Sequence, residues 1–167
     1  MSQFSHLDDR GASRMVDVGA KPVTIRTARA SGRVEMRPET LAAIRDAAVT
    51  KGNVLEVARL AGVMAAKRTA EWIPLCHPVP LDSVAVDFAF PDAATLEISA
   101  TARATARTGV EMEALVAVSA AALTVYDMCK AVDRGMALGA IRLEEKSGGR
   151  SGHYVRGPSG GDAERRS

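Results

Sequence analysis

Residues 84–106, VAVDFAFPDAATLEISATARATA, decide how this chain folds. Val84, Val86, Phe88 and Phe90 alternate with small or polar residues, the period of two that turns one side of a strand toward a core. Pro91-Asp92 supplies a turn, after which Leu96, Ile98, Ala100, Ala102, Ala104 and Ala106 resume the alternation. Two such runs joined by a turn predict an antiparallel hairpin. The opposite side of the second run carries Glu97, Ser99, Thr101, Arg103, Thr105 and Arg107, a wet or interface-facing surface. The alanines leave room for a closely packed helix.

Upstream, TIRTARASGRVEM (24–36) suits a strand, with Ser31-Gly32 hinting at a bend within it, so one strand or a bent pair is expected. Pro38 fits a first helical turn, and Leu41, Ala42, Ile44 and Ala48 recur at helical spacing until Thr50-Lys51-Gly52 interrupts them. Asn53 can cap a second helix, which carries Val54, Val57, Ala58, Ala61, Met64 and Ala65 as an apolar stripe and ends before Pro74. Downstream, Glu111 to about Val132 is the longest helical candidate, almost free of polar groups from Ala114 to Val125. A last strand from Ala140 to about Glu145 runs into a flexible stretch from Lys146 to Gly152. Hairpins and helices without strand-helix alternation predict an α+β fold, an antiparallel sheet with helices packed on one face. One catalytic domain is expected over 15–154, between a flexible N-terminus (1–14) and a disordered tail (155–167).

At 167 residues and 47% hydrophobic composition the chain can fill one core. Its 22 Lys and Arg nearly balance 20 Asp and Glu, and aromatics make up 4%, which argues against nucleic-acid binding through phosphate neutralisation or base stacking. No run of eighteen apolar residues occurs and the N-terminus is polar, so neither a membrane span nor a secretory signal is expected, and the cytoplasm is the default compartment. Cys76 and Cys129 lie far apart, without the spacing of a disulfide framework or a zinc site.

Four segments could carry chemistry. Ile73-Pro74-Leu75-Cys76-His77-Pro78 holds a Cys-His pair between stiffening prolines, either to present an imidazole or simply to pack. In Gly109-Val110-Glu111-Met112-Glu113 a glycine opens a helix, and either its acids are mere dipole partners or the Glu113 carboxylate or local amides grip a polar heterocycle. Asp127 and Lys130 share a helix face inside an apolar run, as a structural ion pair or as a base and an acid for moving protons. Glu145-Lys146-Ser147-Gly148-Gly149-Arg150-Ser151-Gly152 is a solvated linker or a place where backbone amides and cations meet phosphate. Glu113 and Asp127 stand fourteen residues apart, about 21 Å along one helix. A small substrate needing both requires them from different subunits.

Taken together, MVDVGAK, KGNVLEVARLAGVMAAKRTAEWIPLCHP, TGVEMEAL, LTVYDMCKAVD and EEKSGGRSG, in this order and spacing, resemble the molybdenum cofactor biosynthesis protein C family, the cyclic pyranopterin monophosphate synthases. The resemblance runs from about Met15 to Gly152. It implies a ferredoxin-like fold, a homohexamer built as a trimer of dimers with sites between subunits, and a phosphorus-oxygen lyase acting on a nucleotide-derived small molecule. That substrate would be 3′,8-cyclo-7,8-dihydroguanosine 5′-triphosphate, converted to cyclic pyranopterin monophosphate and pyrophosphate with no redox cofactor or metal ligand set. By resemblance Asp127 and Lys130 are catalytic, with Lys51. Leu75, Cys76, His77, Met112 and Glu113 contact substrate, as do Lys67 and Lys146. Arg26 binds phosphate, and Lys21 lies in the matching N-terminal motif. The rival readings are a non-catalytic ferredoxin-like nucleotide- or RNA-binding module and an enzyme acting on another nucleoside triphosphate.

Overall fold

A computed structural model describes residues 11–46, 52–150, 152–157 and 162–163. The hairpin at 84–106 forms as its alternation requires. Strand β2 (Ser83–Ala89) buries Val86, and β3 (Thr95–Ala106) buries Leu96, Ile98, Ala100, Ala102 and Ala104. The earlier strand, β1 (Thr24–Glu35), pairs antiparallel with β3 so that Ala28 meets Ala102 and Ala30 meets Ala100. Strand β4 (Ala137–Ser147) takes the other edge of β1, again antiparallel. With the short β5 (Tyr154–Arg156) and β6 (Asp162–Ala163) the sheet is six-stranded, in the order β2-β3-β1-β4-β5-β6.

Helices α1 (Pro38–Arg45), α2 (Val54–Ala66) and the single turn α3 (Thr69–Trp72) lie between β1 and β2, and α4 (Glu111–Cys129) lies between β3 and β4. Each connection thus returns two strands away across an antiparallel neighbour, the split β-α-β-β-α-β connectivity. The fold is α+β, as the hairpin and helix pattern predicted.

Small side chains set how closely the layers approach. Helix α4 packs on β1, β3 and β4 and against α2, burying Ala114, Ala117, Ala121 and Ala122 above the alanine rows of the strands. It is long and apolar enough to cross a membrane, but most of its surface is spent on the core of this domain. Asn53 caps α2 as expected, its side-chain oxygen accepting from the Glu56 amide at 3.1 Å. Arg37 offers α1 no such cap. Instead the buried Asp133, beyond the end of α4, accepts from the Arg37 amide at 2.9 Å and the Thr40 hydroxyl at 3.2 Å. The same carboxylate accepts from the Gly135 amide at 3.2 Å, so one side chain ties the α4–β4 turn to the start of α1.

Several expectations change. Of one strand or a bent pair, the chain takes one strand: β1 runs unbroken through Ser31-Gly32, where its pairing with β4 shifts register between Ser31 and Arg33. A Cβ on Gly32 would stand 2.7 Å from Cγ1 of Val118 and 3.1 Å from Cγ1 of Ile141, so this glycine serves the seating of α4. Helix α4 ends at Cys129 rather than near Val132, and β4 begins at Ala137 and extends through Lys146, which is therefore a strand residue and not part of a flexible linker. Strand β5 also crosses the boundary set at 155, with β6 beyond it, because β5 finds hydrogen-bonding partners along the edge of β4 and β6 finds them along β5. Within α2, Val57 and Met64 are exposed, while Val54, Ala58, Gly62, Ala65 and Ala66 face inward.

Replacing Gly32 tests the seating of α4. Gly32→Ala is expected to cost about 1–3 kcal/mol through overpacking against Val118, despite alanine's better backbone propensity. Urea unfolding of Gly32→Ala, Val118→Ala and the double variant should show the double variant more stable than the summed single losses allow.

Candidate active site

The Pro-rich segment after α3 and the start of α4 form the two walls of one cleft. The stretch does not run extended from its first proline: Pro74 and Leu75 form a turn closed by the Cys76 amide, which donates to the Ile73 carbonyl at 3.0 Å, and Pro78 stiffens the chain beyond it. Leu75, Cys76 and His77 thereby face Met112 and Glu113 across a space of about 320 Å³, closed on a third side by Val16, Val18 and Lys21 from the N-terminal motif. A second cavity, of about 500 Å³, adjoins it. It is lined by Arg26, Arg107 and Arg150 and shares Lys21, Thr108, Gly109 and Glu111 with the first.

Glu113 is the chemically distinctive group. It is 3% exposed, and burial pushes its carboxyl up to about 7, with the adjacent Glu111 carboxylate adding to the rise against a lowering backbone hydrogen bond. A carboxyl that titrates near neutrality can donate to a ring nitrogen when protonated or accept from an amine when ionised. The neighbouring Cys76 thiol is also pushed up, first by burial and then by Glu113, which keeps it protonated and unsuited to attack. Lys146 reaches Glu111 at 3.1 Å, joining β4 to the opening turn of α4 at the boundary between the two cavities. Lys67 is exposed and lies on the outer side of Glu113, where both residues line a further recess with Pro78 and Pro80.

Asp127 and Lys130 are elsewhere. Both belong to the far end of α4, paired at 2.6 Å, with side chains 64% and 52% exposed. Their apolar sequence context does not bury them in the protomer, because every inward position of that turn is taken by Val125, Met128 and Cys129. The Asp127 carboxylate, hydrogen-bonded to Lys130 and attracting its charge, raises the lysine, so in the protomer this side chain is an ammonium and not an amine of lowered pKa. The unbroken α4 keeps the pair and Glu113 at opposite ends of one rod. Lys51 lies outside the described residues.

Sequence reading did not single out Glu111 and Arg107 as site residues. Glu111 was visible in TGVEMEAL, but nothing local told that it would meet a lysine from β4. Arg107 was visible only as the last polar position of an alternating strand.

The chain matches the MoaC family profile over residues 15–149. It is 61% identical over 153 residues to cyclic pyranopterin monophosphate synthase 3 of Mycobacterium tuberculosis, covering 92% of this chain and 86% of that protein. It is 60% identical over 157 residues to the cyclic pyranopterin monophosphate synthase of Thermomicrobium roseum, covering 93% and 95%. The synthase of Parvibaculum lavamentivorans is 59% identical over 153 residues, covering 91% and 96%.

Because burial raises Glu113 from 4.5 to about 7, the native state binds its proton more tightly than the unfolded chain does. Stability therefore falls as pH rises through that window. Glu113→Gln, which mimics the protonated form, should raise the melting temperature most above pH 7, with the advantage shrinking to nothing as pH drops below 4.5. Thermal melts from pH 4 to 9 measure this, and a gain independent of pH would contradict it.

Proposed function

This chain belongs to the MoaC family, and we propose that it is a cyclic pyranopterin monophosphate synthase of molybdenum cofactor biosynthesis. In this reading it is a lyase that takes 3′,8-cyclo-7,8-dihydroguanosine 5′-triphosphate to cyclic pyranopterin monophosphate and pyrophosphate. The observation that carries the reading is the pair of adjoining cavities. One presents a near-neutral carboxyl, an imidazole and apolar walls, suited to a polar heterocycle. The other gathers arginines, suited to phosphates.

The chemistry asks for proton transfers at ring nitrogens and for one phosphoryl transfer. Glu113, placed against the heterocycle, exchanges protons at a ring nitrogen while His77 and Met112 fix its orientation. A sugar hydroxyl then attacks the α-phosphorus. The new O–P bond forms as the bond to the bridging oxygen of pyrophosphate breaks, and the hydroxyl proton passes to a base. Asp127 is the acceptor in this scheme, and the Lys130 ammonium neutralises or protonates the departing oxygen. Arg26, Lys21 and Lys146 hold the phosphate chain, with Lys67 and Lys51 as further cations.

Since Asp127 and Lys130 cannot reach the Glu113 cleft of their own chain, the reading requires a homo-oligomer with sites between subunits, here a hexamer. Two features support it. Leu123, Asp127 and Lys130 follow one another at helical spacing on a single exposed face of α4. Leu123 continues into an apolar patch with Met64 and Trp72, a surface that a protomer alone leaves wet. A silent RNA-binding module would instead need aromatic side chains on the open face of the sheet. That face carries Arg29, Ser31 and Arg33 on β1 and Glu97, Ser99 and Thr101 on β3.

Incubation with the cyclised triphosphate should release pyrophosphate, and Asp127→Asn or Lys130→Ala should each lower kcat by about 10²–10⁴-fold. Near-normal turnover in both variants would overturn the assignment. Mixed oligomers made from His77→Ala and Lys130→Ala chains should recover activity in roughly a quarter of sites, the share in which a random pairing unites the two intact halves. No recovery on mixing would mean that each site comes from one chain.

A further inference from the structure

The turn between β4 and β5 carries two consecutive glycines in left-handed conformation, Gly148 at φ 97° and Gly149 at φ 73°. Sequence alone left this stretch between a linker and a phosphate loop. Both glycines press on β1 instead. A Cβ on Gly148 would fall on the Ile25 carbonyl, and one on Gly149 would fall on the Arg26 guanidinium. From the other side, Arg26 Nε donates to the Ala106 carbonyl at 3.4 Å and Nη2 to the Arg107 carbonyl at 3.3 Å. The guanidinium is thus clasped between the end of β3 and the bare backbone of the turn.

Arg26 is 8% exposed, and its hydrogen bonds among the described residues go to neutral carbonyls. A buried guanidinium without a counter-charge is costly unless an anion completes it. The cavity it borders is also lined by Lys21, Arg107 and Arg150, and by Thr24, whose enclosed hydroxyl has no hydrogen-bond partner among the described residues. Glu111 also lines this space but is paired with Lys146 at 3.1 Å, so the remaining charged groups around it are cations that an anion would complete.

We infer that Gly149 is a positioning residue for anion binding: its missing side chain lets the β4–β5 turn close over Arg26 and hold the guanidinium in the one pose that faces the shared cavity. The inference rests on the reading that Arg26 meets the phosphate chain of the substrate. Gly149 itself makes no contact with substrate and supplies only the space that fixes Arg26. A side chain at 149 would displace the fork, which can move only by giving up the carbonyls that aim it.

Gly152, at φ 63° and with nothing within 4 Å of where a Cβ would stand, supplies the control, because alanine there meets a similar backbone strain without touching Arg26. Titration calorimetry of the full chain with inorganic pyrophosphate compares Gly149→Ala, Gly152→Ala, Arg26→Gln and the double variant Gly149→Ala/Arg26→Gln. Gly149→Ala should weaken pyrophosphate at least about tenfold, the loss of one charge-assisted hydrogen bond. Gly152→Ala should stay within about twofold of the parent, and the double variant should bind no worse than Arg26→Gln. In turnover, Gly149→Ala should raise KM more than it lowers kcat. Where Gly149→Ala does not fold, Gly149→Asn replaces it, since asparagine tolerates the left-handed region.

Normal pyrophosphate binding by Gly149→Ala alongside a loss in Arg26→Gln would overturn the positioning role while leaving Arg26 as a phosphate ligand. Equal losses in Gly149→Ala and Gly152→Ala would overturn it too, by tracing the effect to turn strain. Normal binding by Arg26→Gln would instead remove the reading of Arg26 on which the inference stands.

Discussion

The unbroken helix α4, laid on a floor of alanines, constrains everything else in this molecule. Ala28, Ala30, Ala100 and Ala102 on the sheet and Ala114, Ala117 and Ala121 on the helix contribute little apolar area each. Their gain is close approach, which multiplies weak dispersion contacts and leaves no slack for the helix to bend or slide. Gly32 shows how tight the seating is, since even one methyl group there would collide with Val118. The helix therefore fixes both of its ends, and whatever those ends carry, in space.

The two ends sit in opposite electrostatic surroundings. At the N-terminal end Glu113 is buried beside Glu111, so its proton is held to near neutrality. At the C-terminal end Asp127 and Lys130 are exposed, and their mutual hydrogen bond keeps the lysine charged. A proton donor and acceptor pair in solvent has little catalytic leverage, because water screens it. On the proposed reading, docking of a second copy removes that water and brings the pair to a cleft already shaped by the partner. The exposed apolar side chains beside the pair fit that role, while Asp133 stiffens the turn that follows it.

Local pattern made much of this legible. The alternation in 84–106 and the alanine run of α4 report side-chain periodicity directly, and Asn53 announces a helix start by its own chemistry. Residues 75–77 and 112–113 could be paired because their motifs resembled those of one family, and the structure brings them to a common cleft. What stayed hidden depends on contacts far apart in sequence. The burial of Glu113, the Lys146–Glu111 contact and the clasp on Arg26 each need partners from other elements. Gly32 and Gly149 stayed undecided, the one between a strand and a bend and the other between a linker and a phosphate loop, because a glycine in sequence does not say whether the chain turns there or a neighbour presses in. The apolar context of Asp127 left open whether its pair with Lys130 is buried or at the rim, and helix periodicity puts it outward.

The most direct test of the account is a crystal structure of the assembled protein with the cyclised triphosphate, or an unreactive analogue, bound. The heterocycle should lie between Leu75–His77 and Met112–Glu113 of one protomer, the phosphates over Arg26, and Asp127 and Lys130 of a second protomer within hydrogen-bonding reach of the ligand. A ligand bound with that pair remote from it in every copy would contradict the account.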